Sequence, residues 1–487
     1  MSKETTDNSL RKNRLGVLGI VFFVVAASAP LVGMTGAVPV AMVLGNQAAV
    51  PGTYLFVGIV LLLFSVGFAT MSSKVTNAGA FFAYIGRGLG KNLGIGSAFS
   101  MIVGYVTIQL AIYGFFGFQM QSYFAERGIN IDWYIYVLVA FIIVTALSLL
   151  SVDVGAKVLG ALMILEIVSL LVSGVIIMSK HAGSVDLGAS FSPSSIFAGG
   201  FAGGAGIAIA FAFASFIGFE ATAIYGEESK DPKRTVPRAT YWAIGIITLL
   251  FTFVSLAVVA GYNGDLSKLT ATPADVLGLV QSDVGSWMVD VMSILVMSSL
   301  FAGLLAFQNA NSRYVFALGR AGVLPKAMAK TNASGSPLAG VIVTSSLAFI
   351  VFTAFKLANL DPFANLFTWM SAITSVAIIL VEILVSLAVI VFFMKNKGEN
   401  FLKVFVAPVL AIIGLLIGEY LLMSRFNLLG SLASADVTDP TAADAIWKLS
   451  PLGWILVLLP FIALVLGFIW GLINKKDEAA LSEDILS

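Results

Sequence analysis

Four carboxylates, Glu166, Glu220, Glu382 and Glu419, sit deep inside apolar stretches of this 487-residue sequence, and Asp290 lies about one helical turn from the end of its stretch. A charge at the centre of a membrane helix costs on the order of 2.5 kcal/mol or more, and no Lys or Arg lies comparably deep. Each of these groups must therefore be protonated, hydrogen-bonded, wetted, or paired with a cation that comes and goes, which is the chemistry of ion coupling. From their separation from Lys157 and from Glu227, Glu166 stands about 13 Å and Glu220 about 10 Å into the membrane. Both read as proton- or cation-coupling residues; the plainer readings are a packing residue for Glu166 and a neutral link between helices for Glu220. Glu382 and Glu419 fall away from the expected central pathway, where a structural or lipid-interface role accounts for them better.

Other chemistries are poorly supplied. The chain has no cysteine, and its single histidine, His181, falls in a short polar stretch between apolar runs. Thiolate sites, iron–sulfur clusters, multi-histidine metal centres and an imidazole proton relay within the membrane are thereby excluded. No Gly-x-Ser-x-Gly element or phosphate-binding loop is present, so an enzyme is not expected, nor a metal or other cofactor. A formal net charge of +1 gives no footing for nucleic acid.

These carboxylates are carried by a sequence that is 59% hydrophobic and 11% charged, against roughly 45–50% and 25% in soluble domains. Apolar runs of about 20 residues, the length that crosses a bilayer, recur near 15–45, 51–71, 94–124, 132–151, 158–179, 198–225, 239–262, 286–312, 338–358, 363–394, 404–423 and 452–473. The reading is an all-α integral membrane protein of about twelve spans, with lipid as its surroundings and short tails at 1–14 and 475–487. The first run ends in Ala27-Ser28-Ala29, which imitates a signal-peptide cleavage site, but apolar character resumes through Val43. It reads as a first span with an interruption. All but six of the 27 basic residues fall on the side of the N-terminus, the exceptions being Arg127, Lys180, Lys268, Lys356, Arg425 and Lys448. That bias predicts both termini in the cytoplasm of a multi-pass cell-membrane protein.

Glycine and proline interrupt spans one and six most. Span one carries Ala29-Pro30-Leu31-Val32-Gly33-Met34-Thr35-Gly36 and then Pro39; span six carries Gly199, Gly200, Gly203, Gly204 and Gly206, then Ser215-Phe216-Ile217-Gly218-Phe219-Glu220. They are corresponding members of two five-helix halves, and a matched pair of broken helices points to a transporter site on an inverted repeat. Gly33 to Gly36 and Gly218 read as site glycines, those at 199–206 as packing glycines. On span three, Tyr105, Gln109 and Tyr113 share one face; on span eight, Phe307 and Gln308 precede Asn309, Asn311 and Ser312. Such stripes are often interhelical glue, and Gln109 and Phe307 are their site candidates.

Four stretches together resemble the amino acid–polyamine–organocation superfamily, with its leucine-transporter-like 5+5 inverted repeat: Ala29 to Pro39; Asn77-Ala78-Gly79-Ala80-Phe81-Phe82-Ala83-Tyr84; Ser215 to Glu220 with Gly226-Glu227-Glu228 and Asp231 to Thr240; and Leu318 to Pro325. The resemblance implies a transport core over 15–394, with spans eleven and twelve (395–474) added. It implies that the amides of Met34, Thr35 and Gly36 bind an amino acid carboxylate, that the carbonyls around Ser215, Phe216 and Ile217 bind the amino group, and that Phe216 is an aromatic gate. Glu166 aligns with the family's coupling position. Met34 departs from the pattern by standing where the first glycine of the turn is expected. The expected function is a proton-coupled amino acid permease, with an amino acid/amine exchanger or a polyamine carrier as the alternative. A channel or receptor fits the paired broken helices less well.

Overall fold

The computed structural model describes residues 16–75, 80–150, 156–220, 222 and 231–473. The tails, Asn77 to Gly79 and Gly226 to Glu228 lie outside the described residues. Among the described residues, twelve helices that correspond to the apolar runs follow one another. Helix 1 comprises Val17–Ala27 and, beyond a break, residues 30–46; helix 2 is Val50–Ser72 and helix 3 Lys91–Ala125. Helix 4 is Trp133–Leu149, helix 5 Ala156–His181, helix 6 Ala205–Phe216 and helix 7 Pro232–Gly261. Helix 8 is Ser286–Arg320, helix 9 Leu338–Leu357, helix 10 Pro362–Lys395, helix 11 Leu402–Ser424 and helix 12 Pro451–Ile473.

Nine runs among the described residues are long and apolar enough to cross a membrane. One of them, Pro30–Ser72, joins helix 1 to helix 2 across a kink at Gly45, and helices 4 and 6 are the shorter apolar members. Exposed apolar side chains such as Ile142, Val175, Ile350 and Leu466 collect on helices 4, 5, 9 and 12. A water-soluble protein does not leave such a surface bare, so these helices face lipid, while helices 1, 6 and 10 are enclosed. Local chemistry starts the helices: Asp132 accepts the Tyr134 amide at helix 4, and Asp361 accepts those of Phe363 and Ala364 at helix 10, ahead of a proline in the first turn.

The interruption of helix 1 lies earlier than the glycine spacing suggests. Ala29 takes a left-handed conformation (φ 42°, ψ 67°), and Pro30 opens the second half. Proline lacks the N–H that would continue the ladder and pushes the preceding residue out of the helical region. Gly33 to Gly36, by contrast, lie in a wide turn of continuous helix, and Thr35 donates its hydroxyl back to the Leu31 carbonyl. Their glycines serve close packing: a Cβ on Gly33 would fall 2.6 Å from the Phe251 ring, and one on Gly36 the same distance from Phe115. Helix 6 breaks where expected. Ile217 is extended (ψ 134°) and Gly218 has φ 109°, a conformation in which a side chain is strained. Span six is shorter than 198–225 at its start, because Gly199 and Gly200 turn through positive φ before the helix begins at Ala205.

These observations separate strain from packing in helix 1. Ala29→Gly should hold or raise the thermal stability of the purified protein by up to about 1 kcal/mol, since left-handed backbone disfavours a Cβ. Gly33→Ala should lower it by about 1–3 kcal/mol through overpacking against Phe251. A thermal unfolding series that reversed this order would place the break at the glycines.

Candidate functional site

The two breaks meet at one cavity. Helix 1 contributes Ser28, Ala29, Val32 and Gly33; helix 6 contributes Phe211, Ala214, Ser215 and Ile217. Helix 3 adds Ile108, Ile112 and Phe115, helix 8 adds Leu300 and Phe307, and helix 10 adds Phe367 and Ser371. The wall is thus apolar except for three hydroxyls and the backbone at the helix ends. The second half of helix 1 starts here, and the first turn of a helix leaves N–H groups without an intrahelical acceptor. With no N–H on Pro30, and with Gly33 already bonded to the Ala29 carbonyl at 3.0 Å, the free amides are those of Leu31 and Val32. The first half of helix 6 ends here, turning carbonyls toward the same space. A positive helix end and a negative one therefore share an apolar cavity.

A side-chain frame holds this arrangement. The Ser215 hydroxyl donates to the Phe211 carbonyl at 2.8 Å and lies 3.0 Å from the Tyr54 hydroxyl of helix 2. Tyr54 stacks on Phe251 of helix 7 with ring centroids 4.8 Å apart, and Phe251 fills the space beside Gly33. Helices 2 and 7 thus brace both broken helices through three side chains.

The two coupling candidates sit at the edges of the cavity rather than in its wall. Glu166, 3% exposed, accepts the Ser299 hydroxyl of helix 8 at 3.2 Å, and the freed Leu31 amide is turned toward the same carboxyl group. It joins helix 5 to helix 8 and to the start of the second half of helix 1. Glu220 accepts the Gly218 amide at 2.9 Å and the Tyr105 hydroxyl of helix 3 at 3.0 Å. It satisfies backbone released by the helix 6 break and ties that break to helix 3.

The remaining sequence candidates divide. Gly33, Ser215, Ile217 and Phe307 line the cavity. Met34, Thr35 and Gly36 are buried in the helix behind it, with their amides inside the helix instead of at its free end. Phe216 is 1% exposed and is not among the lining residues, whose aromatic members are Phe115, Phe211, Phe307 and Phe367. Gln109 donates to Gln308 at 2.7 Å and accepts from Asn311 at 2.9 Å, while Gln308 donates on to Thr344 and Ser345 of helix 9. That network knits helices 3, 8 and 9 and does not reach the cavity. Sequence reasoning missed Ser28 and Phe115, along with Phe367 and Ser371. The Ala29-Pro30 pair signals the first of these; helix 10 carries no comparable mark.

The amino acid permease family profile matches residues 19–479. The chain belongs to the amino acid permease family. Among relatives of this family member, the branched-chain amino acid permease BcaP of Lactococcus lactis is 25% identical over 69% of this chain and 74% of its own length. The lysine-specific permease LysP of the same organism is 24% identical over 61% of each chain. The aromatic amino acid transport protein AroP of Escherichia coli is 24% identical over 65% of this chain and 70% of its own. Two solved structures share the fold: MhsT in complex with L-phenylalanine (TM-score 0.58, 16% identity, 84% of this chain and 100% of that one) and the Eremococcus coleocola manganese transporter (TM-score 0.53, 14% identity, 96% and 98%). The all-helical, leucine-transporter-like architecture expected of a 5+5 repeat with discontinuous helices 1 and 6 is thus the fold of this family member.

If the glutamine network is structural, Gln109→Leu should lower thermal stability by about 1–3 kcal/mol, because Gln308 and Asn311 lose buried partners. Ligand affinity should stay within a few-fold of wild type. A large loss of affinity at unchanged stability would return Gln109 to the site.

Proposed function

We propose that this chain is a secondary transporter that carries an apolar amino acid across the cell membrane by alternating access, coupled to protons. The observation that carries the reading is the shared cavity of two opposite helix ends. An amino acid's carboxylate suits the Val32 amide and the positive end of the second half of helix 1, and its ammonium group suits the carbonyls ending helix 6 around Ser215 and Ile217. The side chain would rest among Ile108, Ile112, Phe115, Leu300 and Phe307, lining residues that favour a branched or aromatic solute. The names of BcaP and AroP, and the L-phenylalanine in MhsT, agree with that preference. No carboxylate among the described residues lines the cavity, which argues against a polyamine. The transport core in this reading is 15–394, with helices 11 and 12 added outside it and both termini in the cytoplasm.

Glu166 is the residue suited to coupling. As a neutral acid it has an O–H to donate; as a carboxylate it can only accept. Its partners, Ser299 and the Leu31 amide, belong to helices that must part as access alternates. A change of proton at Glu166 therefore rearranges hydrogen bonds at the start of the helix half that would hold substrate. Glu220, committed to Gly218 and Tyr105, suits a positioning role at the other break, with coupling as its second possibility.

Proteoliposomes containing only this protein should accumulate leucine or phenylalanine, and an inward pH gradient should accelerate that uptake. Glu166→Gln keeps shape and hydrogen-bonding reach but removes the titration. The variant should bind the amino acid within a few-fold of wild type and lose the acceleration. Wild-type gradient dependence in this variant would remove Glu166 from coupling, and absence of uptake of any amino acid by the wild type would overturn the transport reading itself.

The wall residues carry a second test. Phe307→Ala should raise the half-saturating concentration for uptake at least tenfold, because a ring against the solute is lost. Phe216→Ala should instead act mainly through stability. Equal effects on affinity would restore Phe216 as a gate.

A further inference from the structure

Glu382 of helix 10 is fully buried and Glu419 of helix 11 is 6% exposed, so neither faces lipid. Neither carboxyl group makes a hydrogen bond to any described residue, through either oxygen. The two helices are antiparallel neighbours; at the usual helical rise Glu382 lies about 20 Å from the end of helix 10 at Lys395 and Glu419 about 26 Å from the start of helix 11 at Leu402. The two acids are therefore offset in depth by about one helical turn. Glu382 is within electrostatic reach of Glu419 on one side and of Glu220, below the helix 6 break, on the other.

A third unpartnered group lies near Glu382. Ser386 lies one turn beyond Glu382 on the same face of helix 10. It is 2% exposed, and its hydroxyl has no partner among the described residues. Buried serines and threonines on these helices usually donate back to their own backbone, as Ser65, Thr374 and Ser375 do. Ser386 does not, and so keeps a donor and an acceptor free beside the acid.

We propose that Glu382 and Glu419, with Ser386 one turn from Glu382, form a buried proton-binding pair that is separate from the substrate cavity. Two ionised carboxylates cannot share an apolar interior without a counter-charge. The elements packed on helix 10 supply none that is buried: helix 6 offers Glu220, helix 3 Tyr105, helix 2 Tyr54, the segment Ala80–Leu89 Tyr84 and an exposed Arg87, and helix 12 no ionisable side chain. Two carboxylates and a hydroxyl fall short of the six or more oxygens that calcium or magnesium takes. A proton needs only one of them, and Ser386 can accept the hydrogen bond of the resulting acid. Ser371 and Ser375 continue the face of helix 10 that bears Glu382 toward the substrate cavity, where Ser371 is part of the wall. The pair is thereby placed to sense rearrangement of helix 6 against helix 10, to which Ser375 is bonded through the Ala210 carbonyl at 2.6 Å.

Infrared spectroscopy of the purified full-length protein at neutral pH, without substrate or gradient, tests this apart from the transport reading. The protonated-carboxyl C=O band should shift in frequency in Glu382→Gln and in Glu419→Gln, where the remaining acid holds the proton, lose intensity when both are replaced, and shift in Ser386→Ala, which removes the hydrogen-bond acceptor. Should one glutamine variant fail to fold, the other and the serine variant still decide. A band unchanged in the folded variants would overturn the proposal. So would stabilisation of the wild type by sodium at fixed pH that is lost in the same variants, since the pair would then be a metal-cation site.

Discussion

Inside a hydrocarbon slab, a backbone N–H or C=O without a partner costs several kcal/mol, and the breaks at Ala29 and at Ile217 to Glu220 free several such groups at once. The rest of the molecule answers that demand. Glu220 takes the Gly218 amide, Glu166 faces the Leu31 amide, and the other freed groups look into a cavity that a polar solute could fill. Broken helices are tolerable in such a fold because neither break touches lipid. Helices 5, 7 and 8 pack against helix 1 at its break, and helices 2, 10 and 11 against helix 6.

Close packing holds the breaks in register. Gly33 lets helix 1 lie against Phe251, Phe251 stacks on Tyr54, and Tyr54 reaches Ser215 on helix 6. Gly206 lets helix 6 approach the Leu421 backbone of helix 11, where a Cβ would fall at 2.0 Å. The carboxylates are arranged around this frame, each bearing on a helix that carries or contacts a break, and none of them is in the cavity wall. In the proposed function, solute recognition by backbone and charge handling by side chains would therefore be spatially distinct, so that a proton could change helix–helix contacts without competing with the solute for space.

Much of this was legible in the sequence because membrane helices obey strong local rules. Twelve apolar runs gave twelve helices, and Gly218 marked the helix 6 break because a positive φ there favours glycine. The helix 1 break falls at the start of the Ala29 to Gly36 stretch that marks it in the sequence: Pro30 forces Ala29 out of the helix, while Gly33 and Gly36, which there suggest a loosened turn, serve Phe251 and Phe115. Phe216 and Gln109 could not be sorted by type alone, since facing the cavity and facing a neighbouring helix both suit a phenylalanine or a glutamine. Phe367, Ser371 and the Glu382–Glu419 neighbourhood depend on how helix 10 packs against helices distant in sequence, and a single sequence carries no local signal for that.

The central claim is that backbone groups of the two helix ends hold both charged ends of one zwitterion. Equilibrium binding to the purified wild-type protein, comparing a transported amino acid with its methyl ester and with the amine that lacks the carboxylate, tests it most directly. The account predicts that both analogues bind at least tenfold more weakly than the parent amino acid. Binding of either analogue as tightly as the amino acid would contradict it.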